Sequence, residues 1–332
     1  KTMSLQPCLL SPRSNQNDHT SWCHDTTDVR EKLQVMRRFE ATSYAAKNYL
    51  PLQTQARIRQ RRLTVEYLYQ VVDFGGFQRD VVAYSMTHLM DRYLATQAGK
   101  RALEDGNHYQ LVALTCLYMA VKLLEPQNIG IDSLVPLSNG VYTRQEFLAM
   151  ERGILEELNW CVAQGPTPLA YVQLLMPLMH LDNDKATSLY NHVQYQLELG
   201  VSDYSLCCAK PSELAVAALW NGLESMDWTW KENTRVGQAV LDALRWEHNH
   251  QECHIANLQA KLRHLMLAAF SLTTSAASKL NNAYIGTVVP KQSGGASPVS
   301  TVRKEPGDGS SPSSSGHDSI HDVTEVDWLQ HA

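Results

Sequence analysis

His248, His250, Cys253 and His254 fall within one or two helical turns of one another, and imidazole nitrogen with thiolate sulfur is the donor set of a zinc site. Their spacing matches no closed zinc site, and a chain this long needs no metal staple, so no metal is expected. His88 and Asp91, three residues apart, could share a helix face as in a metal-dependent phosphohydrolase, but the partner motifs are missing. No glycine-rich phosphate loop, paired-aspartate metal run or helical HExxH occurs. No catalytic residue and no cofactor are therefore expected, and binding chemistry is left.

Lys122 carries such chemistry. It closes the uncharged run from Leu111 to Val121, where an ammonium is costly unless it reaches water or a partner. Taken alone it reads equally well as a lysine snorkelling from a helix end. Arg57, Arg59, Arg61 and Arg62 could imitate a nuclear-import or nucleic-acid patch, but a solvated helix face is the simpler account. Lys231-Glu232-Asn233 spells a degradation signal, yet it sits between predicted helices, where a helix cap is the simpler account. Ser11-Pro12, Ser297-Pro298 and Ser311-Pro312 suit a proline-directed kinase.

The elements that must position these residues are helices. Val29, Leu33, Met36, Tyr44 and Leu50 form a loose amphipathic stripe ended by Pro51; Thr54 could cap the next helix, which runs to Gly75-Gly76. A third runs from Arg79 to about Ala95, and a polar loop separates it from Tyr109 to Leu124, apolar nearly all round and thus the hub of its domain. Thr143 with Glu146 forms a capping box opening a helix to about Asn159, and Pro166 and Pro168 mark a joint. Five more helical stretches follow: Leu169 to Leu178, Ala186 to Tyr204, Glu213 to Leu223, Val236 to Trp246 and Ile255 to Leu272. With no alternating strand pattern, the chain reads as an all-α pair of similar bundles. The division is residues 1–27, a flexible leader; 28–163, an N-terminal helix and first bundle; 164–272, a second bundle; and 273–332, a disordered Ser/Pro/acidic tail.

The 332 residues give room for about two ordered domains. A net charge of -5 supplies no field to hold nucleic acid or an anionic membrane, so no direct nucleic-acid partner is expected. The longest apolar run is too short to span a bilayer, and seven cysteines without a CxxC pair suit a reducing compartment. The expected location is intracellular, in nucleus, cytoplasm or both.

Leu89-Met90-Asp91-Arg92-Tyr93-Leu94, then the run from Leu111 to Lys122, then Met150-Glu151 with Leu158-Asn159-Trp160, resemble the cyclin box, whose central helix reads LQLVGxxxLxxAxKxxE. Pro166 to Tyr171 and Lys210 to Leu219 resemble the second cyclin fold, so the likeness covers about residues 28 to 270, in wording closest to D-like and protist cell-cycle cyclins. It implies two tandem five-helix cyclin folds and a non-catalytic subunit that binds and activates a cyclin-dependent protein kinase. It further implies that Lys122 and Glu151 hydrogen-bond kinase backbone, with Met119, Leu123, Leu155 and Val162 as apolar contacts around them. Arg61 and Asp91 match a structural salt bridge between helices; a one-residue insertion at Gly75-Gly76 would exchange Arg61 for Arg62. Gln60 to Thr64 with Tyr67 departs from the family's substrate-docking patch, and no Leu-x-Cys-x-Glu segment occurs. Ubiquitin-ligase machinery is a further expected partner, through the tail. The alternative is a paired-cyclin-fold transcription-associated adaptor, against which net acidity and the missing zinc ribbon count.

Overall fold

Apolar residues recurring at helical spacing should give helices, and a computed structural model, which describes residues 26–45, 48–49, 55–126, 129–163, 165–226, 228–244 and 252–285, contains helices and turns and no strand among them. Helix α1 is Thr26–Ala41 and α2 is Gln55–Gly75. Next comes α3, Asp80–Tyr84, which continues through a π-helical turn, Ser85–Met90, into α4, Asp91–Leu94. The predicted polar loop holds a short α5, Gln97–Lys100, capped by Thr96. The hub, α6, is Gly106–Leu124; a further short helix, α7, is Leu134–Leu137, and α8 is Arg144–Glu157. The second half holds α9 (Pro168–Leu175), α10 (Asn183–Ser202), α11 (Pro211–Ser225), α12 (Trp230–Leu244) and α13 (Glu252–Ile285).

Sequence signals explain most boundaries. Thr143 Oγ1 accepts from the Glu146 amide, and Glu146 Oε2 accepts from the Thr143 amide at 2.7 Å, closing the capping box that opens α8. Thr229 and Glu232 make the same box at α12, so Lys231-Glu232-Asn233 is a helix start in which Glu232 also pairs with Lys185 at 2.7 Å. Three boundaries differ from expectation. The first helix stops at Ala41 instead of near Leu50, because the chain turns at Thr42 to Tyr44 and sends the Tyr44 hydroxyl to the Ala163 carbonyl. The polar loop is partly helical, and α13 runs past Leu272 to Ile285, for its sequence holds no glycine or proline before Gly286. Thr54, Pro51 and residues 286–332 lie outside the described residues. The chain divides into two units, residues 1–270 and 271–332, and the described part of the second is the end of α13.

Within residues 1–270 the buried apolar side chains form two cores. One holds residues from Tyr49 to Val162 together with Tyr204; the other holds residues from Leu169 to Leu262. Val29 and Leu33 of α1 belong to the second core, although α1 precedes the first in sequence. Two polar contacts fix it there. Glu40 accepts from the Ser212 amide at 3.0 Å and from its hydroxyl at 2.6 Å at the start of α11, and Arg37 donates to the Leu244 carbonyl at the end of α12. An acid thus sits at one helix N-terminus and a base at another's C-terminus, the arrangement the helix dipole favours. Burial raises the Glu40 pKa, although Ser212 opposes it.

The two cores meet through charged and ring contacts. Arg61 of α2, 1% exposed, donates to both carboxylate oxygens of Asp91 of α4, with Nη2 to Oδ2 at 2.9 Å, and to the Val201 carbonyl of α10. The Tyr49 hydroxyl donates to Asp91 Oδ1 at 3.0 Å, and its ring lies edge-on to Tyr204. Burial alone would lower the Arg61 pKa; the Asp91 charge outweighs it and holds the guanidinium well above its ordinary value. The joint itself, residues 161–167, is gripped from the π-turn and the two helices that flank it: Tyr84 of α3 donates to the Val162 carbonyl, Arg92 of α4 to the Cys161 carbonyl and His88 Nε2 of the π-turn to the Pro166 carbonyl at 2.9 Å. Burial pushes the His88 pKa down to about 4. Across the same joint Thr167 donates to Asp80 at 2.7 Å, and burial raises Asp80 to about 6.

Three stability outcomes follow from these contacts. Asp91→Ala should cost about 3–5 kcal/mol by strandng Arg61 in the interior, against under ~0.5 kcal/mol for Arg62→Ala, whose side chain is 58% exposed; urea midpoints of the two variants compare them. Glu40→Ala should cost ~1–3 kcal/mol by leaving the Ser212 donors unmet, and should speed amide hydrogen exchange across α1. His88 is neutral in the fold but protonates near pH 6.5 when unfolded, so its contribution is complete above that pH and fades as pH falls toward 4. Asp80 acts with the opposite sign, since a raised carboxyl pKa weakens the fold as pH rises from about 3.8 to about 6, but it is common to wild type and His88→Gln. The stability advantage of wild type over His88→Gln should therefore shrink by ~3 kcal/mol between pH 7 and pH 4, measured by denaturant titration at each pH.

Candidate functional site

The hub helix α6 is buried from Val112 to Val121 because both its faces meet other helices, and only its last turn emerges. Lys122 stands in that turn, where a cation also suits the helix C-terminus. α8 packs beside α6, fixed by Phe147 and Ile154 in the core, and brings Glu151 to the same place. Lys122 Nζ donates to Glu151 Oε1 at 2.7 Å. The lysine side chain is 40% exposed and the glutamate 15%, so the pair lies at the surface and can still be reached. Burial tends to lower the Lys122 pKa, and Glu151 with Tyr118 more than offsets it, so the ammonium stays charged.

The residues singled out around this pair divide. Leu123 is 41% exposed and Leu155 is half-buried, whereas Met119 and Val162 are covered and belong to the first core. In this conformation Met119 and Val162 support the surface from beneath and present nothing to a partner. Two apolar neighbours went unnoticed in sequence: Leu124, beside Leu123, and Leu148, 44% exposed. Leu148 precedes Glu151 by three residues and Leu155 by seven, so the stripe was there to be read at helical spacing. A partner would meet one charged pair set among leucines. The pair offers ammonium donors and carboxylate acceptors, groups that can bind a main chain without needing any particular side chain.

The other candidates fall elsewhere. Arg61 is the buried member of the arginine cluster, while Arg62 pairs on the surface with Glu66 at 3.7 Å, so the exchange left open by the insertion does not occur. His248 and His250 lie outside the described residues; His254 instead faces Glu213 at 3.2 Å, and among the described residues no group of three possible metal ligands exists. Cys208 is exposed and Cys207 half-buried. Tyr67 is half-buried, with its hydroxyl donating to the Leu137 carbonyl at 2.7 Å. No helix of the described residues is long and apolar enough to cross a membrane.

Comparison with known proteins bears on this geometry. Residues 31–163 match the family described as the cyclin N-terminal domain, a span holding both Lys122 and Glu151 as well as Arg61 and Asp91. Among curated relatives, G2/mitotic-specific cyclin-1 of Medicago sativa subsp. varia is 28% identical over 206 residues, covering 59% of this chain and 46% of its own. G1/S-specific cyclin-D2 of Gallus gallus is 23% identical over 243 residues, covering 73% and 80%. The chain spans about half or less of the length of the plant mitotic cyclins it matches. Among solved structures, a viral cyclin from herpesvirus saimiri is 16% identical with a TM-score of 0.44, covering 67% of this chain and 96% of that one. The CAK complex from Chaetomium thermophilum bound to ATP-gamma-S is 12% identical with a TM-score of 0.47, covering 74% and 76%. The matched family span, the curated relatives and an all-helical first core built on the cyclin-box residues agree, and the chain is a cyclin-box protein.

Proposed function

We propose that the chain is the regulatory subunit of a cyclin-dependent Ser/Thr protein kinase, acting in cell-cycle control in the nucleus or cytoplasm. One observation carries this reading: Lys122 and Glu151 pair at 2.7 Å in an accessible position, with Leu148 and Leu155 at helical spacing from Glu151 on α8 and the exposed Leu123 and Leu124 next to Lys122 in the last turn of α6. A charged pair with donors and acceptors to spare, set in an apolar surround, suits a backbone-reading contact at the middle of an interface. The names of the curated relatives, G2/mitotic-specific and G1/S-specific cyclins, support the cell-cycle assignment.

In this mechanism the subunit contributes no catalytic group. It binds the conformation in which the kinase's movable helix is held inward, so that the kinase's own lysine-glutamate pair and magnesium-binding aspartate are in place. The gain is a population shift, and its size is set by the difference in affinity for the two kinase conformations. Residues 28–163 would supply the contact and residues 164–272 a second cyclin fold behind it, over an interface of about 2,000 Å² or more. The Ser/Pro/acidic residues from 273 onward are assigned to ubiquitin-ligase machinery, on their composition.

Lys122→Ala combined with Glu151→Ala should abolish recovery of the kinase in a pull-down. Truncating members of a desolvated charged pair at an interface costs ~2–5 kcal/mol, or roughly 30-fold to several thousand-fold in affinity. The free chain should lose no more than ~1 kcal/mol, since the pair is part-exposed before binding. Circular dichroism of the same preparation should show unchanged helix content, and normal kinase recovery by a normally folded variant would overturn the assignment.

A further inference from the structure

Beside Glu151 the Lys122 ammonium has a second anchor. Its Nζ lies 4.8 Å from the centroid of the Tyr118 ring, within the range of a cation–π contact. Tyr118 and Lys122 are four residues apart on α6 and so occupy one face of the helix. Tyr118 is only 8% exposed and belongs to the first core, so its ring is fixed by packing. The lysine stem is thus bracketed between an immobile ring and a carboxylate held by α8. We propose that Tyr118 is a positioning residue for the recognition pair, whose ring orders the Lys122 ammonium before a partner arrives. This rests on the kinase reading for its partner, but the ordering belongs to the free chain.

The consequence is energetic. A free surface lysine samples many rotamers, and immobilising one such side chain on binding weakens association by about three- to tenfold. Here that loss is already incurred on folding. The ammonium has three donors; Glu151 Oε1 takes one at 2.7 Å, and the Tyr118 side chain, by its ring and its hydroxyl, engages the charge from the other side, which still leaves a donor for an incoming carbonyl. The cyclin-box pattern leaves position 118 unspecified, between the Leu at 117 and the Ala at 120.

Calorimetric titration of a purified cyclin-dependent kinase catalytic subunit into the full chain tests this. Tyr118→Leu should weaken binding by about three- to tenfold, while Tyr118→Phe, which keeps the ring, should stay within about twofold of wild type. In a Lys122→Ala background the change to leucine should have no further effect. Wild-type affinity in Tyr118→Leu, an equal loss in Tyr118→Phe, or a persisting loss without Lys122 would each overturn the proposal. A partner-free measurement separates it from the kinase reading. In the isolated wild-type chain the ε-methylene protons of Lys122 should resonate upfield through the ring current of Tyr118, a shift kept in Tyr118→Phe and lost in Tyr118→Leu. An unshifted Lys122 signal in wild type would overturn the positioning role even if Tyr118→Leu cannot be folded. Undiminished kinase binding by Lys122→Ala with Glu151→Ala, alongside a shifted signal, would remove the kinase and leave the ordering in place.

Discussion

A guanidinium in a protein interior is tolerated only where its charge and its donors are met together, and Arg61 meets both needs at the junction of four pieces of chain. It carries α2; Asp91 brings α4; Tyr49 brings the segment after α1; and the Val201 carbonyl brings α10 from the second half. Desolvating the pair opposes folding, and the Coulomb attraction with the surrounding hydrogen bonds is what offsets it. The geometry therefore has little slack. If α2 slid by one residue, Arg62 would point inward with no carboxylate at the right height. The ion pair thus sets the register of α2 against α4, and through it the position of everything packed upon them.

That register reaches the surface site through the hub. α3 and the π-turn pack on α6, and so does α8. Only when α6 is surrounded in this way does its last turn alone emerge, placing Lys122 where Glu151 arrives from α8. The π-turn contributes a second constraint. Its extra residue per turn spaces Tyr84, His88 and Arg92 so that all three reach the carbonyls of residues 161–166, the strip that leads from α8 into the second half. Gly165 is required beneath them, since a Cβ there would come within 2.8 Å of the His88 ring and 2.9 Å of Tyr44. The end of α8 is thereby clamped just beyond the helix that carries Glu151.

Legibility in the sequence followed the kind of physics involved. Periodicity exposed the helices, and local capping chemistry exposed the start of α8, because both act between residues a few positions apart. Lys122 stood out because a charge closing an apolar run must be satisfied. The contacts that were hidden join residues far apart in the chain: Glu40 with Ser212, Arg37 with Leu244, Tyr44 with Ala163. Nothing near Val29 or Leu33 says which core will cover them, so α1 could be seen as amphipathic but not assigned to the second core. Met119 and Val162 show the limit from the other side. An apolar residue near a binding pair looks the same in sequence whether it faces outward or inward, and only the packing of α6 and α8 turns these two inward and leaves Leu124 and Leu148 outside.

Two cross-helix ion pairs of similar length, Arg61–Asp91 and Lys122–Glu151, differ in their surroundings. At Arg61–Asp91 the side chains are 2% and 7% exposed; at Lys122–Glu151 they are 40% and 15%. The first uses arginine, whose planar fork meets both carboxylate oxygens and a main-chain carbonyl at once, and its burial keeps it from an outside partner. The second uses lysine, a compact charge whose single bond to Glu151 leaves donors over. In water such a pair adds little to stability. Covered by a partner, it enters a medium where its spare hydrogen-bonding groups must be met, and a partner that meets them is favoured over one that does not. Burial thus makes the arginine pair a fixed joint, and partial exposure leaves the lysine pair open to the partner proposed for it.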